Sequence, residues 1–284
     1  MRLPNLLATR TGRLAAFFFL YVTEGVPLGF AAVAVATQLR RQDVGPAEIG
    51  AFVGSFYLPW AFKWAFGPLI DVFASDRLGR RRGWIIGTQV LMAVTLMGTV
   101  LLDLPAQLGL FTAILLVHNT FGAMQDVAID ALAVSTLAED ERGLANGLMF
   151  SGASIGQAAG GAGVLFLSAY TGFQPTFFFV AGTILAVTLF VVLPMREAPG
   201  PARRTPPGVS PLRAAAREMM LPVRSRPSAT LCALSPVRLN SSRMRPGLGE
   251  NRITRSPRHA ASRTLWVTNT MVFLRCCQIF WRSP

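Results

Sequence analysis

The sequence predicts an all-α integral membrane protein, with six transmembrane helices within residues 1–199 and a mostly disordered basic tail after them. Two observations carry this. Hydrophobic residues make up 52% of the 284 and the mean hydropathy is +0.45, yet the net charge is +13 with a pI near 11.4. That charge is confined to one end: residues 1–199 hold 12 Lys+Arg and 12 Asp+Glu, whereas residues 200–284 hold 15 Arg against Glu218 and Glu250. A soluble basic protein would spread its charge over its surface, so the two parts are read separately.

Crossing a bilayer core of ~30 Å takes about 20 apolar residues in a helix. Six such runs precede residue 200: Leu14–Leu39, Ile49–Ile70, Trp84–Leu102, Leu108–Leu132, Leu144–Tyr170 and Pro175–Met195. Charged or turn residues separate them, at Arg40–Asp43, Asp76–Gly83, Asp103–Pro105, Glu139–Arg142 and Thr171–Gln174. The first run is too long for the core of a signal peptide and no clear cleavage site follows it. Arginines fix the expected orientation, because cytoplasmic connections retain positive charge. Eleven lie at the N-terminus, in the second and fourth connections and after span six, against Arg40 and Arg41 on the other side. Both ends of the unit are therefore expected in the cytoplasm.

Ionisable residues inside a membrane are expensive and mark pathways or internal latches. Glu24 lies near the middle of span one beside a helix-weakening Gly25-Val26-Pro27-Leu28-Gly29, and Lys63 lies just past the middle of span two. Span four carries His118 and Asn119, then Gln125, Asp126 and Asp130. Asp126 and Asp130 share a helix face. Spans two and four run the same way, which places Lys63 and Asp126 at similar depth. Two readings of that pair stand: a structural ion pair, or a substrate or proton role. Glu24 has only Lys63 as a same-depth partner and is read as a cavity-facing carboxylate able to couple to protons. His118 is read either as an interior hydrogen-bonded residue or as a proton carrier. Gly152, Gly156 and Gly160 form overlapping Gly-x-x-x-Gly units in span five, a pattern that lets helix backbones approach closely. Gln157 among them is a candidate to line the cavity. The expected partner of this glycine face, and of the cavity faces of spans one and four, is a second six-helix half.

The connection between spans two and three, Gly67-Pro68-Leu69-Ile70-Asp71 followed by Asp76-Arg77-Leu78-Gly79-Arg80-Arg81-Arg82, resembles the cytoplasmic signature loop of the major facilitator superfamily. Together with Phe62-Lys63, Gly83-Trp84, Gln125-Asp126-Val127-Ala128-Ile129-Asp130-Ala131 and Glu141-Arg142-Gly143, it is similar to the AmpG-like muropeptide permease family over residues 14–196. The resemblance implies the N-terminal half of a major facilitator fold, built as a 3+3 inverted repeat. It also implies proton-driven import of peptidoglycan fragments such as anhydromuropeptides through a bacterial inner membrane. Asp71 with Arg80, Arg81 and Arg82 would then form a cytoplasmic latch with Asp126 or Asp130. Alternatively the loop arginines only set topology. Other small molecules, whether acetyl-CoA-like, sugar or drug, remain open as substrates.

Beyond Gly200 no apolar run reaches spanning length. Ser210–Met220 reads as a short helix in a cytoplasmic linker, with Ser210 at N-cap and Pro211 at N1. Residues 221–284 scatter Arg, Pro and Ser without periodicity. This tail is a disordered basic segment, an unrecognised short domain, or the product of a lost reading frame, the last being favoured because the composition breaks abruptly and the use of Arg almost to the exclusion of Lys is consistent with a GC-rich gene. On that reading the transporter is truncated and an isolated copy is not expected to transport unless two copies assemble. The expected partners are a small-molecule substrate, protons, the lipid bilayer, and either the missing C-terminal half or a second copy. An enzymatic role is not expected: the second histidine, His259, lies in the tail and no cysteine lies in a span. Neither a metal nor a cofactor is expected. Nucleic-acid binding would rest on the tail charge alone and is not expected.

Overall fold

The computed structural model describes residues 5–73 and 79–197. The linker helix expected at Ser210–Met220 and the tail lie outside the described residues. Those described are helical throughout, without a strand among them. A 3-10 turn, Leu6–Ala8, leads into α1 (Arg10–Arg41), capped by Thr9, whose Oγ1 accepts the Gly12 amide at 3.1 Å. Then come α2 (Pro46–Phe56), α3 (Leu58–Ala61), α4 (Lys63–Val72) and α5 (Arg80–Gly98). They are followed by α6 (Leu108–Thr136), α7 (Arg142–Thr171) and α8 (Pro175–Val192). Pro46 and Pro175 open α2 and α8, where a missing N–H costs nothing. Gly172, with φ of +83°, ends α7 in a conformation that other residues adopt only under strain.

Four helices, α1, α6, α7 and α8, are long and apolar enough to cross a membrane by length and composition. The chain is thus a multi-pass membrane protein. Two of the expected spans take another form. The run Ile49–Ile70 is three short helices broken at Tyr57 and Phe62, because Pro59 cannot donate to the turn before it. The run Trp84–Leu102 becomes α5, which begins on Arg80, Arg81 and Arg82 and stops at Gly98, so part of its length is charged.

The segment Gly25–Gly29, read from sequence as a weak point, stays inside the helix. Pro27 is accommodated within α1, and the next turn relaxes into a π-helical stretch, Phe30–Val35. The glycines serve packing instead. A Cβ at Gly25 or Gly29 would strike the carbonyl oxygens of Ala153 or Gln157 on α7, and one at Gly152 or Gly160 would strike those of Phe18 or Val26 on α1. The glycine face of span five therefore meets span one of the same chain and not a second half, and backbone-to-backbone approach is possible because both helices offer glycine.

Two apolar clusters fill the bundle. One gathers Phe30, Leu39, Phe52, Phe56, Leu96, Phe111 and Phe177; the other gathers Phe17, Leu20, Ile70, Ile85, Ile129, Met149 and Met195. On α1, α5, α6 and α8 one polar residue stands where the two clusters meet: Thr23, Gln89, Gln125 and Thr188, all buried. The Nε2 groups of Gln89 and Gln125 donate to Thr23 Oγ1 at 3.2 and 3.1 Å, and Thr188 Oγ1 donates to Gln89 Oε1 at 2.6 Å. Thr23 in turn donates to the Leu20 carbonyl at 2.6 Å. Four helices are thereby joined through a knot of side-chain hydrogen bonds away from lipid, where an unmade bond would be costly.

Candidate functional site: a charged cluster inside the bundle

The charges placed within spans by sequence converge. Lys63 Nζ, at the first position of α4, forms an ion pair with Asp126 Oδ2 on α6. The Asp126 side chain is 3% exposed and that of Lys63 is 30% exposed, so the carboxylate is the more deeply buried partner. The Trp60 ring lies under the ammonium, 4.8 Å from its centroid, an arrangement that offsets part of the ammonium's lost hydration. One turn further along α6, Asp130 is exposed and accepts the Tyr21 hydroxyl from α1 at 2.8 Å. Glu24 is half-buried, and its Oε2 has no hydrogen-bond partner among the described residues. One ammonium and three carboxyl groups thus stand on neighbouring turns of α4, α6 and α1, with Asp126 the most deeply buried of them. Such a set holds its charge poorly without a proton or a cationic or hydrogen-bond-donating ligand.

The remaining candidates separate from this cluster. His118 is 1% exposed, and its Nδ1 donates to the Met92 carbonyl on α5 at 2.9 Å, with Thr95 Oγ1 at 3.2 Å. That is the interior reading of the two left open by the sequence. Asn119, also buried, has its amide engaged with Phe56 and Trp60. Gln125 belongs to the Thr23 knot, and its Oε1 is buried without a partner among the described residues. Gln157 is exposed on α7, with its main chain against Gly29.

Of the expected latch, Arg81 and Asp71 are brought together, and Arg81 and Arg82 also reach the end of α8 and the residues after it. Arg81 Nη2 donates to Asp71 Oδ1 at 2.7 Å. Glu197 Oε2 accepts the Arg81 amide at 2.8 Å, so a carboxylate caps the positive end of α5. Arg82 Nε and Nη2 donate to the carbonyls of Val192 and Leu193 at 3.1 and 2.6 Å, at the C-terminal end of α8. Arg80 opens α5. The ion pair of Asp126 and the hydrogen bond of Asp130 described above run to Lys63 and Tyr21.

A second charged contact escaped sequence reasoning. Arg13 grips Glu141 with two bonds, Nε to Oε2 at 3.0 Å and Nη2 to Oε1 at 2.6 Å, and Arg10 approaches to 3.8 Å. The two hydrogen bonds from Arg13 hold the Glu141 carboxyl below the usual carboxylate range. Asn5 bonds Arg196 through both main-chain groups, at 2.8 and 3.1 Å. Arg13, Arg81, Arg82, Glu141, Glu197 and Asn5 thus gather at one end of the bundle, the end assigned to the cytoplasm by arginine counting.

Comparison with known proteins agrees with this architecture. Residues 14–270 match the Major Facilitator Superfamily, a stretch that runs past the compositional break near residue 200. The chain is 28% identical over 207 residues to an anhydromuropeptide permease of Escherichia coli strain K12, covering 71% of this chain and 42% of that protein. It is 31% identical over 171 residues to an uncharacterized protein of Haemophilus influenzae, 59% of this chain and 40% of the relative. A putative transporter, AmpG 4, of Rickettsia conorii is 28% identical over 185 residues, 63% of this chain and 44% of the relative. The chain therefore spans less than half the length of these relatives.

Proposed function

Because the chain belongs to the Major Facilitator Superfamily, we propose that it forms one six-helix unit of a proton-coupled secondary transporter that imports peptidoglycan fragments of the anhydromuropeptide class. On this reading α2–α4 and α5 also pass through the membrane, the N-terminus is cytoplasmic and the membrane is a bacterial inner membrane. The working site is completed by a second six-helix unit, either further protein or a second copy.

The observation that carries the proposal is the Lys63–Asp126 ion pair inside a bundle of apolar helices, with Asp130 one turn along α6 held by Tyr21 and Glu24 one turn beyond Tyr21 on α1. A neutral cavity for a passively carried solute has no use for four ionisable groups. A site whose carboxyls exchange a proton as the ammonium and the ligand move has. The likeness to the anhydromuropeptide permease supports the substrate class. The Asp71–Arg81 pair and the Arg13–Glu141 clamp support a closed cytoplasmic end that would part when the site opens inward.

The test is uptake by proteoliposomes holding the full 284-residue chain under an imposed inward proton gradient. Accumulation of a labelled anhydromuropeptide that is abolished by a protonophore and by Glu24→Gln supports the reading. Accumulation indifferent to the gradient removes the proton coupling. Absence of both accumulation and binding of that compound, in proteoliposomes where crosslinking shows two copies assembled, removes the substrate assignment.

A further inference from the structure

The break between α2 and α3 leaves a main-chain oxygen inside the bundle without its usual donor. In an unbroken helix the Trp60 amide would serve the Phe56 carbonyl. Around Pro59 the chain closes in three-residue steps instead: the amides of Tyr57, Trp60 and Phe62 bond the carbonyls of Gly54, Tyr57 and Pro59 at 3.3, 3.2 and 3.1 Å. The Trp60 amide is thereby taken away from Phe56. Asn119 on α6 supplies the replacement, its Nδ2 donating to the Phe56 carbonyl while its Oδ1 accepts the Trp60 indole Nε1 at 3.2 Å. The chemistry of the partners dictates this orientation of the amide, since a carbonyl can only accept and an indole can only donate. Asn119 is 4% exposed, so neither bond competes with bulk water.

Both bonds lead to Lys63. Phe56 and Trp60 bracket the break, Trp60 carries the Lys63 ammonium on its ring face, and Asp126 stands two turns from Asn119 on the same side of α6. The second passage is thus held by α6 at two heights, by the Asn119 amide beside the break and by the Asp126 carboxylate beyond it. The four residues of α3 and the turn at Phe62 form the short, irregularly bonded segment between these holds.

We propose that Asn119 is a positioning residue: by pinning both sides of the Pro59 break it fixes Trp60, and through Trp60 it holds Lys63 against Asp126. Release of this clamp would let α4 turn about Phe62 and carry the ammonium away from its carboxylate. As a step in transport this rests on the function proposed above. The placement of Lys63 does not, and it is what the test reads.

Lys63 is the only lysine in the chain, so reductive methylation followed by peptide mass spectrometry reports its accessibility apart from the N-terminal amine. Rates are measured on the purified full chain in detergent, without substrate or gradient, so the outcome stands whether or not the chain transports. Asn119→Ala is expected to raise the Lys63 rate about five- to tenfold, the size of one to two lost hydrogen bonds. Trp60→Phe, which keeps a ring under the ammonium but removes the indole donor, is expected to give a smaller rise. Thr23→Val, which loosens the bundle away from the break, is expected to leave the rate unchanged. An unchanged rate in a folded Asn119→Ala overturns the proposal. So does an equal rise in Thr23→Val, because the effect would then be general loosening. If Asn119→Ala does not fold, Trp60→Phe decides alone: a rise supports the clamp and no change overturns it.

Discussion

Substitution of Gly156 by alanine is expected to destabilise the bundle, whereas the same change at Gly147, about two and a half turns earlier in α7, is not. A Cβ built on Gly156 would stand 2.6 Å from the Val22 carbonyl oxygen, 3.0 Å from the Val26 amide nitrogen and 3.1 Å from the Gly25 Cα. All three neighbours are main chain, so no side chain can turn aside, and relief requires α1 and α7 to part by roughly 1 Å. A gap of that size forfeits about a quarter to a half of the dispersion attraction along the contact. The overpacking cost is about 1–3 kcal/mol, offset by about 1 kcal/mol that alanine gains over glycine in a helix. At Gly147 a Cβ meets nothing within 4 Å, so only the gain of up to about 1 kcal/mol applies. The two variants should therefore differ by roughly 2 kcal/mol in the same direction. Unfolding by increasing SDS in mixed micelles, followed by helical circular dichroism, measures the difference. Coincident transitions for the two variants would refute the assignment of this face to α1.

Other perturbations probe the charged and polar contacts. Lys63→Met strands the 3%-exposed Asp126 and is expected to cost about 3 kcal/mol in the same assay, whereas Asp126→Asn leaves a partly exposed ammonium and costs less; the double variant should recover much of the loss. Thr23→Val removes the acceptor of two amide donors and is expected to cost about 1–2 kcal/mol, and Gln89→Leu in that background should cost little more. The Glu141 carboxyl is depressed by Arg13, so its contribution is present above its unfolded pKa and is lost as pH falls through its lower folded value. The thermal stability gap between the native chain and Glu141→Gln is thus expected to be full near about pH 6 and to close under acid below the ordinary glutamate range of about 4.3, and a gap that stays constant would exclude this role.

Much of the charged cluster was legible along the chain because a membrane interior tolerates so few ionisable groups. Lys63, Asp126 and Glu24 each interrupt an otherwise apolar run, and helix direction and rise sufficed to set Lys63 and Asp126 at one depth. Gln89 carries a similar signal, a lone amide between Trp84 and Leu102, but without a charged neighbour along its own span to mark it. Thr23 and Thr188 carried almost none, since threonine is common in membrane helices and bonds its own backbone there. The Arg13–Glu141 clamp was hidden for another reason: both residues lie in polar end segments where charge is ordinary, and their partnership depends on how α1 meets the turn before α7.

Composition, run length and charge placement determined that the described part is an apolar helical bundle with its arginines gathered at one end, because those properties follow from transfer of side chains between water and lipid and need no knowledge of neighbours. Packing decided the rest. Gly25 and Gly29 read as helix breakers in a single chain, and only the approach of α7 turns their missing Cβ atoms into a contact surface. Asp126 read as a partner either for Lys63 at its own depth or for the loop arginines, and the packing of α4 against α6 gives it Lys63. A sequence states which groups an apolar medium must neutralise, but the identity of the neutralising partner is a matter of distance between helices, and distance exists only once the helices have packed.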